Sequence, residues 1–406
     1  MATGLRDLLG KMDVADPRYA TEVVDRALAD ARAVGASDVH FQPGERSLEL
    51  RWRIDGVLQP VASLPAKLAP NIVARLKVLA ELLTYRTDVP QEGRFKSVSG
   101  GVEMRLSTFP TLFGEKAVVR MFAGTGRFLT LSDLNLPAEV KGALSHRLAD
   151  TSGAIVLSGP AGSGKTTTIY ACLRELAAST RGERSLTTLE DPIEAVVEGA
   201  AQSQVNPGVG LTLESGLKSL LRQDPEVIAI GEIRDKGTAE VALEAALTGH
   251  LILTTFHAGS AAEVIGRLLD MGIEPYAVRS GLRAVVAQRL VRRLCDCATP
   301  SSRPDDLLGL PVRSARLPAG CAGCRETGYQ GRTVLAEILV PDSAAVAHAI
   351  LARADVTILE AAAAQAGMVP LWRRAIDAVE AGVTSPAEIR RVLGVTSPSR
   401  TSFPLE

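Results

Sequence analysis

Apolar residues follow two rhythms along this chain, and the change between them near residue 137 divides it. In the first part Val23, Val24, Ala27, Leu28 and Ala31 recur at helical spacing, which predicts an amphipathic helix over 21–34 stopped by Gly35. Alternation follows. A short strand is predicted at 38–41, ended by Pro43-Gly44. A longer one at 48–54 turns at Asp55-Gly56 and resumes at Val57-Leu58, which is a hairpin signature. A second helix is predicted over 66–83, and strands over 102–108 and 116–122 flank Pro110 and Gly114. Together these elements predict a small α+β domain.

From Pro137 onward, candidate strands at 154–158, 186–189, 227–230 and 251–255 are separated by helical stretches. That is the pattern of a parallel sheet in an α/β domain. Residues 300–318 are rich in Pro, Ser and Arg and predict a loop, and the last hundred residues read as mostly helical. The expected organisation is a loosely attached lead at 1–19, an α+β domain at 20–123, and a linker at 124–136 marked by Gly124 and Gly126. An α/β domain at 137–396 and a polar tail at 397–406 complete it.

The run GPAGSGKTTTIY, 159–170, lies between the 154–158 strand and a predicted helix. Gly159, Gly164, Lys165 and Thr166 satisfy the G-x-x-x-x-G-K-[ST] phosphate-binding loop in the strand–loop–helix context it requires. The glycines let successive backbone N–H groups turn toward phosphate oxygens, and the positive end of the following helix adds to the field. Lys165 is expected to reach the β- and γ-phosphates of ATP, and the Thr166 hydroxyl to ligate Mg²⁺. The expected nucleotide-binding set is Gly159, Pro160, Ala161, Gly162, Ser163, Gly164, Lys165, Thr166 and Thr167.

Three further strand ends carry chemistry. The 227–230 strand delivers Gly231-Glu232, where a carboxylate can hold the magnesium hydration shell or polarise the attacking water. The 186–189 strand runs into Glu190-Asp191 and is terminated by Pro192. Glu190 and Glu232 divide water activation and metal positioning between them, with Glu190 favoured as the base and Glu232 as the magnesium-side carboxylate. The apolar run after Gly249-His250 ends at His257, whose imidazole can donate to a γ-phosphate oxygen.

A net charge of −1 removes the basic excess expected of a nucleic-acid or anionic-membrane binder. No apolar run is long enough to span a bilayer, and the N-terminus lacks a signal-peptide core, so the expected compartment is the cytoplasm. In a reducing compartment clustered cysteines point to metal before disulfides. Four of the five cysteines fall in Cys295-Asp296-Cys297 and Cys321-Ala322-Gly323-Cys324, a complete tetrahedral set for a structural Zn²⁺. Cys172 reads as a small core residue.

The four nucleotide-site stretches closely resemble the phosphate loop, aspartate box, second nucleotide box and histidine box of the secretion ATPases of type II secretion and type IV pilus systems. The resemblance reaches further upstream. Ala36-Ser37-Asp38-Val39-His40, Arg53-Ile54-Asp55-Gly56-Val57, Pro90-Gln91-Glu92-Gly93-Arg94 and Met104-Arg105-Leu106-Ser107-Thr108 look like that family's second amino-terminal domain. Gly114-Glu115-Lys116 and Arg120 continue it, and the match covers about residues 20 to 395. The resemblance implies an α/β fold: a RecA-like P-loop ATPase core with a smaller, PAS-like α+β amino-terminal domain and a cysteine-rich insertion near 292–332. It implies a homo-hexameric ring with nucleotide between the two domains, in which Arg105 and Arg120 neutralise charge on the γ-phosphate.

The cysteine surroundings, with Gly367-Met368-Val369-Pro370-Leu371 and Gly382-Val383-Thr384-Ser385, look like assembly-type members rather than retraction motors. One departure is the C-x-C pair, where the family usually has C-x-x-C. Another is that only a short lead, 1–19, stands before the α+β domain here, where assembly-type members often carry an additional docking domain. The implied role is a cytoplasmic ATPase, peripheral at the inner face of the cytoplasmic membrane, that works on an inner-membrane platform protein to assemble pilin-like subunits. Alternatives are a retraction or DNA-uptake motor of the same superfamily, a nucleic-acid translocase, and a nucleotide-binding scaffold without turnover. The translocase needs a basic channel or stacking platform, which balanced charge and 4% aromatics do not offer, so no direct nucleic-acid contact is expected.

Overall fold

A computed structural model describes residues 5, 9, 11–96, 103–121 and 129–394. Gly124 and Gly126 of the expected linker, the ends Val102 and Phe122 of two expected strands, and the tail at 397–406 lie outside the described residues. The chain forms two compact units, Met1–Gly124 and Thr125–Glu406.

The first unit is built on helices α1 (Tyr19–Ala33) and α2 (Ala69–Leu79) and strands β1 (Asp38–Pro43), β2 (Ser47–Ile54), β3 (Val57–Pro65), β4 (Gln91–Lys96), β5 (Glu103–Thr111) and β6 (Gly114–Met121). The strands form one antiparallel sheet in the order β3-β2-β1-β6-β5-β4. Alternation puts Val39, Phe41, Leu48, Leu50, Leu106 and Val119 in one core with Val24 and Leu28 of α1 and Ile72 and Leu76 of α2. The expected 66–83 helix is shorter: a 3₁₀ turn, Ala66–Leu68, precedes α2, and Glu81 takes the left-handed conformation just after it. The lead is not loose throughout. Leu5 is fully buried in this core, and its N–H donates to Asp30 Oδ2 at 2.9 Å, because the apolar side chains of Leu5, Leu9 and Met12 pack onto it.

The second unit opens with α3 (Ala138–Leu148) and then alternates: β7 (Gly153–Ser158), α4 (Lys165–Thr180), β8 (Leu186–Glu190), β9 (Ala200–Gln204), α5 (Leu213–Leu220), β10 (Val227–Ile230), α6 (Lys236–Leu247) and β11 (Leu251–Phe256). Helices α7 (Ala261–Asp270) and α8 (Pro275–Gly281) lead to β12 (Leu282–Leu294). The sheet order is β15-β12-β7-β11-β10-β8-β9, where β15 is Tyr329–Leu339. Every neighbouring pair is parallel except β12–β15. Both faces are covered, which is why β7 and β10 read as near-continuous apolar runs. Ile155 and Leu157 of β7 enter one core with α3 and α4, while Ala154 and Val156 enter another with α6, α7 and α8. Full burial of a Leu or Ile of this kind contributes about 1.5–3 kcal/mol.

Two expectations are corrected. The part of the chain beyond the 300–318 segment is not mostly helical from its start, because residues 329–339 form a strand that pairs along β12. Val334, Leu335, Ala336, Ile338 and Leu339 make a short apolar run that suits helix or strand alike, and only the nonlocal pairing makes it a strand. The predicted 300–318 loop is partly ordered, with β13 (Thr299–Ser301) antiparallel to β14 (Ala315–Leu317) and one helical turn, α9 (Pro304–Leu307), between them. Helices α10 (Ala344–Leu351), α11 (Val356–Gln365), α12 (Leu371–Glu380) and α13 (Pro386–Leu393) close the unit.

Candidate functional site

Four strand ends of the second unit meet at the carboxyl edge of its sheet. β7 hands over to the phosphate loop, β11 to His257, β10 to Gly231-Glu232, and β8 ends on Glu190. These strands are consecutive neighbours in the sheet, so loop, histidine and both acids are brought together along one edge. Open parallel sheets bind ligands at this edge.

The loop is shaped for an anion. Gly159, Gly162 and Gly164 adopt φ of 148°, 76° and 92°, and a Cβ on Gly159 would lie 2.5 Å from the Gln288 carbonyl oxygen. Helix α4 begins at Lys165 without a side-chain cap and without an acid in its first turn, so its leading N–H groups suit phosphate. The Ser163 hydroxyl is buried and has no hydrogen-bond partner among the described residues. Lys165 Nζ donates to the Gly159 carbonyl at 2.7 Å and the Pro160 carbonyl at 3.1 Å. Burial lowers the Lys165 pKa, with Glu232 opposing and Arg289 reinforcing the shift. Pro160, Ala161, Gly162 and Thr167 are exposed and Thr166 is half-buried, as a surface that takes a charged ligand requires. The set fits a nucleoside triphosphate, with Thr166 and Glu232 available to its magnesium.

The two acids differ in their surroundings. Glu232 pairs with Arg234 through Oε1 and lies 3.2 Å from His257 Nε2 through Oε2, at the edge of solvent. His257 is about half exposed at 53%. Glu190 is buried. Its Oε1 accepts from Thr188 Oγ1 at 2.6 Å and Gln202 Nε2 at 3.0 Å, and its Oε2 accepts from the Tyr170 hydroxyl.

Sequence reasoning missed the floor of the loop. Gln288 of β12 donates Nε2 to the Ser163 carbonyl at 2.8 Å and accepts from Thr168 Oγ1 at 3.1 Å. Its neighbour Arg289, also buried, donates to the Gly259 carbonyl at 2.7 Å and so reaches the loop that follows His257. The available signal was a polar pair, Gln288-Arg289, inside the otherwise apolar run 284–291.

Arg105 and Arg120 belong to the other unit. They face each other across β5 and β6, in a row that runs Arg53, Asp38, Arg120, Arg105, Arg94 over adjacent strands. Arg120 Nε donates to Asp38 at 3.1 Å, and Arg105 pairs with Glu92.

The four late cysteines also come together. Cys295 and Cys297 follow β12, and Cys321 to Cys324 form a tight turn before β15. Their sulfurs all lie within 4.8 Å of one another, with Cys295–Cys321 and Cys297–Cys324 at 3.9 Å and Cys321–Cys324 at 3.7 Å. Zinc–sulfur bonds of about 2.3 Å in a tetrahedron place sulfurs about 3.8 Å apart. The N–H groups of Cys321 and Gly328 point at Cys324 Sγ from 3.1 and 3.2 Å. Burial works against ionisation, and these N–H groups together with the neighbouring Cys321 and Cys297 thiols outweigh it, bringing the Cys324 thiol down to about 6. The C-x-C spacing therefore does not prevent a four-sulfur cage.

A phosphate loop set on such a sheet edge defines the chain as a P-loop ATP hydrolase of RecA-like fold. Two solved structures share that fold: the DotB ATPase of Legionella pneumophila, at TM-score 0.66 and 24% identity over 90% of this chain and 94% of that one, and the pilus retraction motor PilT with bound ADP, at TM-score 0.55 and 22% identity over 90% and 98%. The particular family follows from the sequence match: residues 13–391 match the Type II/IV secretion system protein family, and the chain belongs to it. Among its relatives, type II secretion system protein E of Aeromonas hydrophila is 39% identical over 94% of this chain and 77% of its own length. Type II secretion system ATPase E of Vibrio cholerae is 39% identical over 91% and 75%. The type IV pilus assembly ATPase PilB of Acinetobacter baylyi is 38% identical over 91% and 65%. Among the described residues no helix is long and apolar enough to cross a membrane.

Proposed function

We propose that this chain is the assembly motor of a pilus or pseudopilus, a cytoplasmic homo-hexamer that sits against the inner face of the membrane and turns ATP hydrolysis into work on an inner-membrane platform protein. The observation that carries the reading is the gathering of the phosphate loop, Glu190, Glu232 and His257 on one sheet edge, in a chain alike over most of its length to type II secretion ATPase E and PilB. The four-sulfur cage supports the assembly type, with Cys295, Cys297, Cys321 and Cys324 holding a structural Zn²⁺.

In the proposed reaction Lys165 neutralises the β- and γ-phosphates, and Thr166 and Glu232 would hold a magnesium ion, which would supply further positive charge to the phosphates. Glu190 takes a proton from the attacking water as that water bonds to the γ-phosphorus and the bond to the β-phosphate oxygen breaks, releasing ADP and phosphate. His257 donates to a γ-phosphate oxygen. Arg105 and Arg120 supply guanidinium charge to the same group in the transition state.

Lys165→Ala is expected to weaken ATP binding, whereas Glu232→Gln binds ATP and hydrolyses it about 100-fold more slowly or worse. Phosphate release and nucleotide affinity measure the two effects. A Glu232→Gln chain that turns over at the unaltered rate sinks the assignment of that carboxylate. ATPase activity stimulated by nucleic acid, with filament assembly intact in cells lacking the protein, sinks the motor reading.

A further inference from the structure

Tyr170 lies on α4, five residues beyond Lys165, with its ring buried and its hydroxyl at the centre of a small polar knot. The hydroxyl donates to Glu190 Oε2. Its oxygen accepts the backbone N–H of Glu194 at 2.9 Å and that of Ala195 at 3.3 Å. A phenol oxygen has two lone pairs, and both are taken by backbone donors that cannot reverse, so the O–H has one direction left, toward the carboxylate. Glu190 is held from its other side as well, with Thr188 and Gln202 both on Oε1. A carboxylate offers about four lone-pair sites. Three are occupied, and the remaining one is on Oε2, the oxygen that Tyr170 holds.

We propose that Tyr170 is a positioning residue for hydrolysis: its hydroxyl aims Glu190 Oε2 at the attacking water and ties that aim to the helix whose first residues grip the phosphates. The proposal rests on the reading of Glu190 as base. Because Tyr170 and Lys165 share one rigid helix, a phosphate that pulls on the start of α4 moves the donor that orients the acid. The hydroxyl also fixes the 194–195 backbone, so the acid, the loop behind it and the phosphate helix move as one piece.

The test is a cycle of Y170F, E190Q and the double variant in the full chain, with phosphate release, nucleotide affinity, melting temperature and hydrogen exchange over residues 191–196 measured together. Y170F keeps the ring and is expected to keep the fold. Its kcat should fall about 10-fold with KM and ATP affinity within about twofold, because an interaction that matters in the transition state has been lost. Exchange at 194–195 should quicken. On the E190Q background Y170F should cost nothing further. Y170F with unaltered kcat while E190Q is inactive overturns the proposal and leaves the reading of Glu190 standing. E190Q with unaltered kcat overturns both. A rise in KM with kcat unchanged assigns the hydroxyl to nucleotide binding and also overturns the proposal. If Y170F loses its fold, difluorotyrosine at position 170 replaces it, since that side chain keeps ring and hydroxyl and alters only donor acidity. A kcat-only change of about threefold is then expected, and an unchanged kcat overturns the proposal.

Discussion

Glu388, on α13, has a side chain closed off from solvent and yet ionised. It accepts from the Arg292 backbone N–H at 2.9 Å and from Arg292 Nε and Nη2 at 3.0 and 2.8 Å, and Arg391 Nε adds a bond at 2.8 Å. Burial disfavours the charge, but Arg391 and Arg292 outweigh it and hold the carboxyl at about 2. The Arg292 guanidinium also lies 3.9 Å over the Tyr329 ring. A folded-state value below the unfolded one means stability that is complete above about pH 4.5 and is lost as pH falls toward about 2. The shift corresponds to about 3 kcal/mol. E388Q is therefore expected to melt well below the parent chain at pH 7, with the gap narrowing as pH falls from about 4.5 toward about 2. A gap that stays constant across that range counts against an ionised Glu388. None of this was legible in the sequence, because Arg292 and Glu388 are 96 residues apart and each looks like an ordinary surface charge.

Among the elements, those with a local signature were legible and those made by distant pairing were not. The inner strands β7, β10 and β11 were visible as near-continuous apolar runs, and the strand–loop–helix around Lys165 fixed where the phosphate edge lies. β15 was missed because only β12 gives it a partner, and β9 because AAQSQ on a sheet edge has no apolar rhythm. Gln288 and Tyr170 escaped for a similar reason, since each acquires meaning only from a residue on another element. The cysteine module belongs to this scale. One Zn²⁺ per chain is expected by metal analysis, and Cys321→Ser should lose the metal and lower the melting temperature while leaving nucleotide affinity nearly unchanged. Metal-free chain of full thermal stability removes the zinc assignment.

In the proposed reaction, charge is divided over the whole molecule. The phosphate loop and acids are in the second unit, and the arginine row is in the first. Arginines delivered from outside the phosphate-binding domain can be worth about 10³-fold in phosphoryl transfer. Arg105→Ala and Arg120→Ala are expected to bind ATP and form oligomers but to lose most ATPase activity. If the arginines serve a neighbouring chain, Arg120→Ala mixed with Lys165→Ala should recover activity as subunits exchange. No recovery at any ratio, with exchange demonstrated, confines them to their own chain or removes them from the reaction.

The rung at which the chain leaves the large sheet is also the rung at which it returns. Leu294 pairs with Tyr329, and the Cys295 N–H donates to the Gly328 carbonyl at 2.9 Å. Everything from 295 to 328 is thus a detachable cassette in the topological sense, since a two-residue hairpin across that rung leaves every strand of the large sheet with its neighbours. Energetically the cassette is not detachable. Leu307, Leu310, Val312 and Ala315 are buried in the same core as Ala375, Ile376, Val379 and Ile389 of α12 and α13, so excision bares an apolar flank on the carboxyl-terminal helices. A chain spliced this way keeps its connectivity and must acquire a new skin.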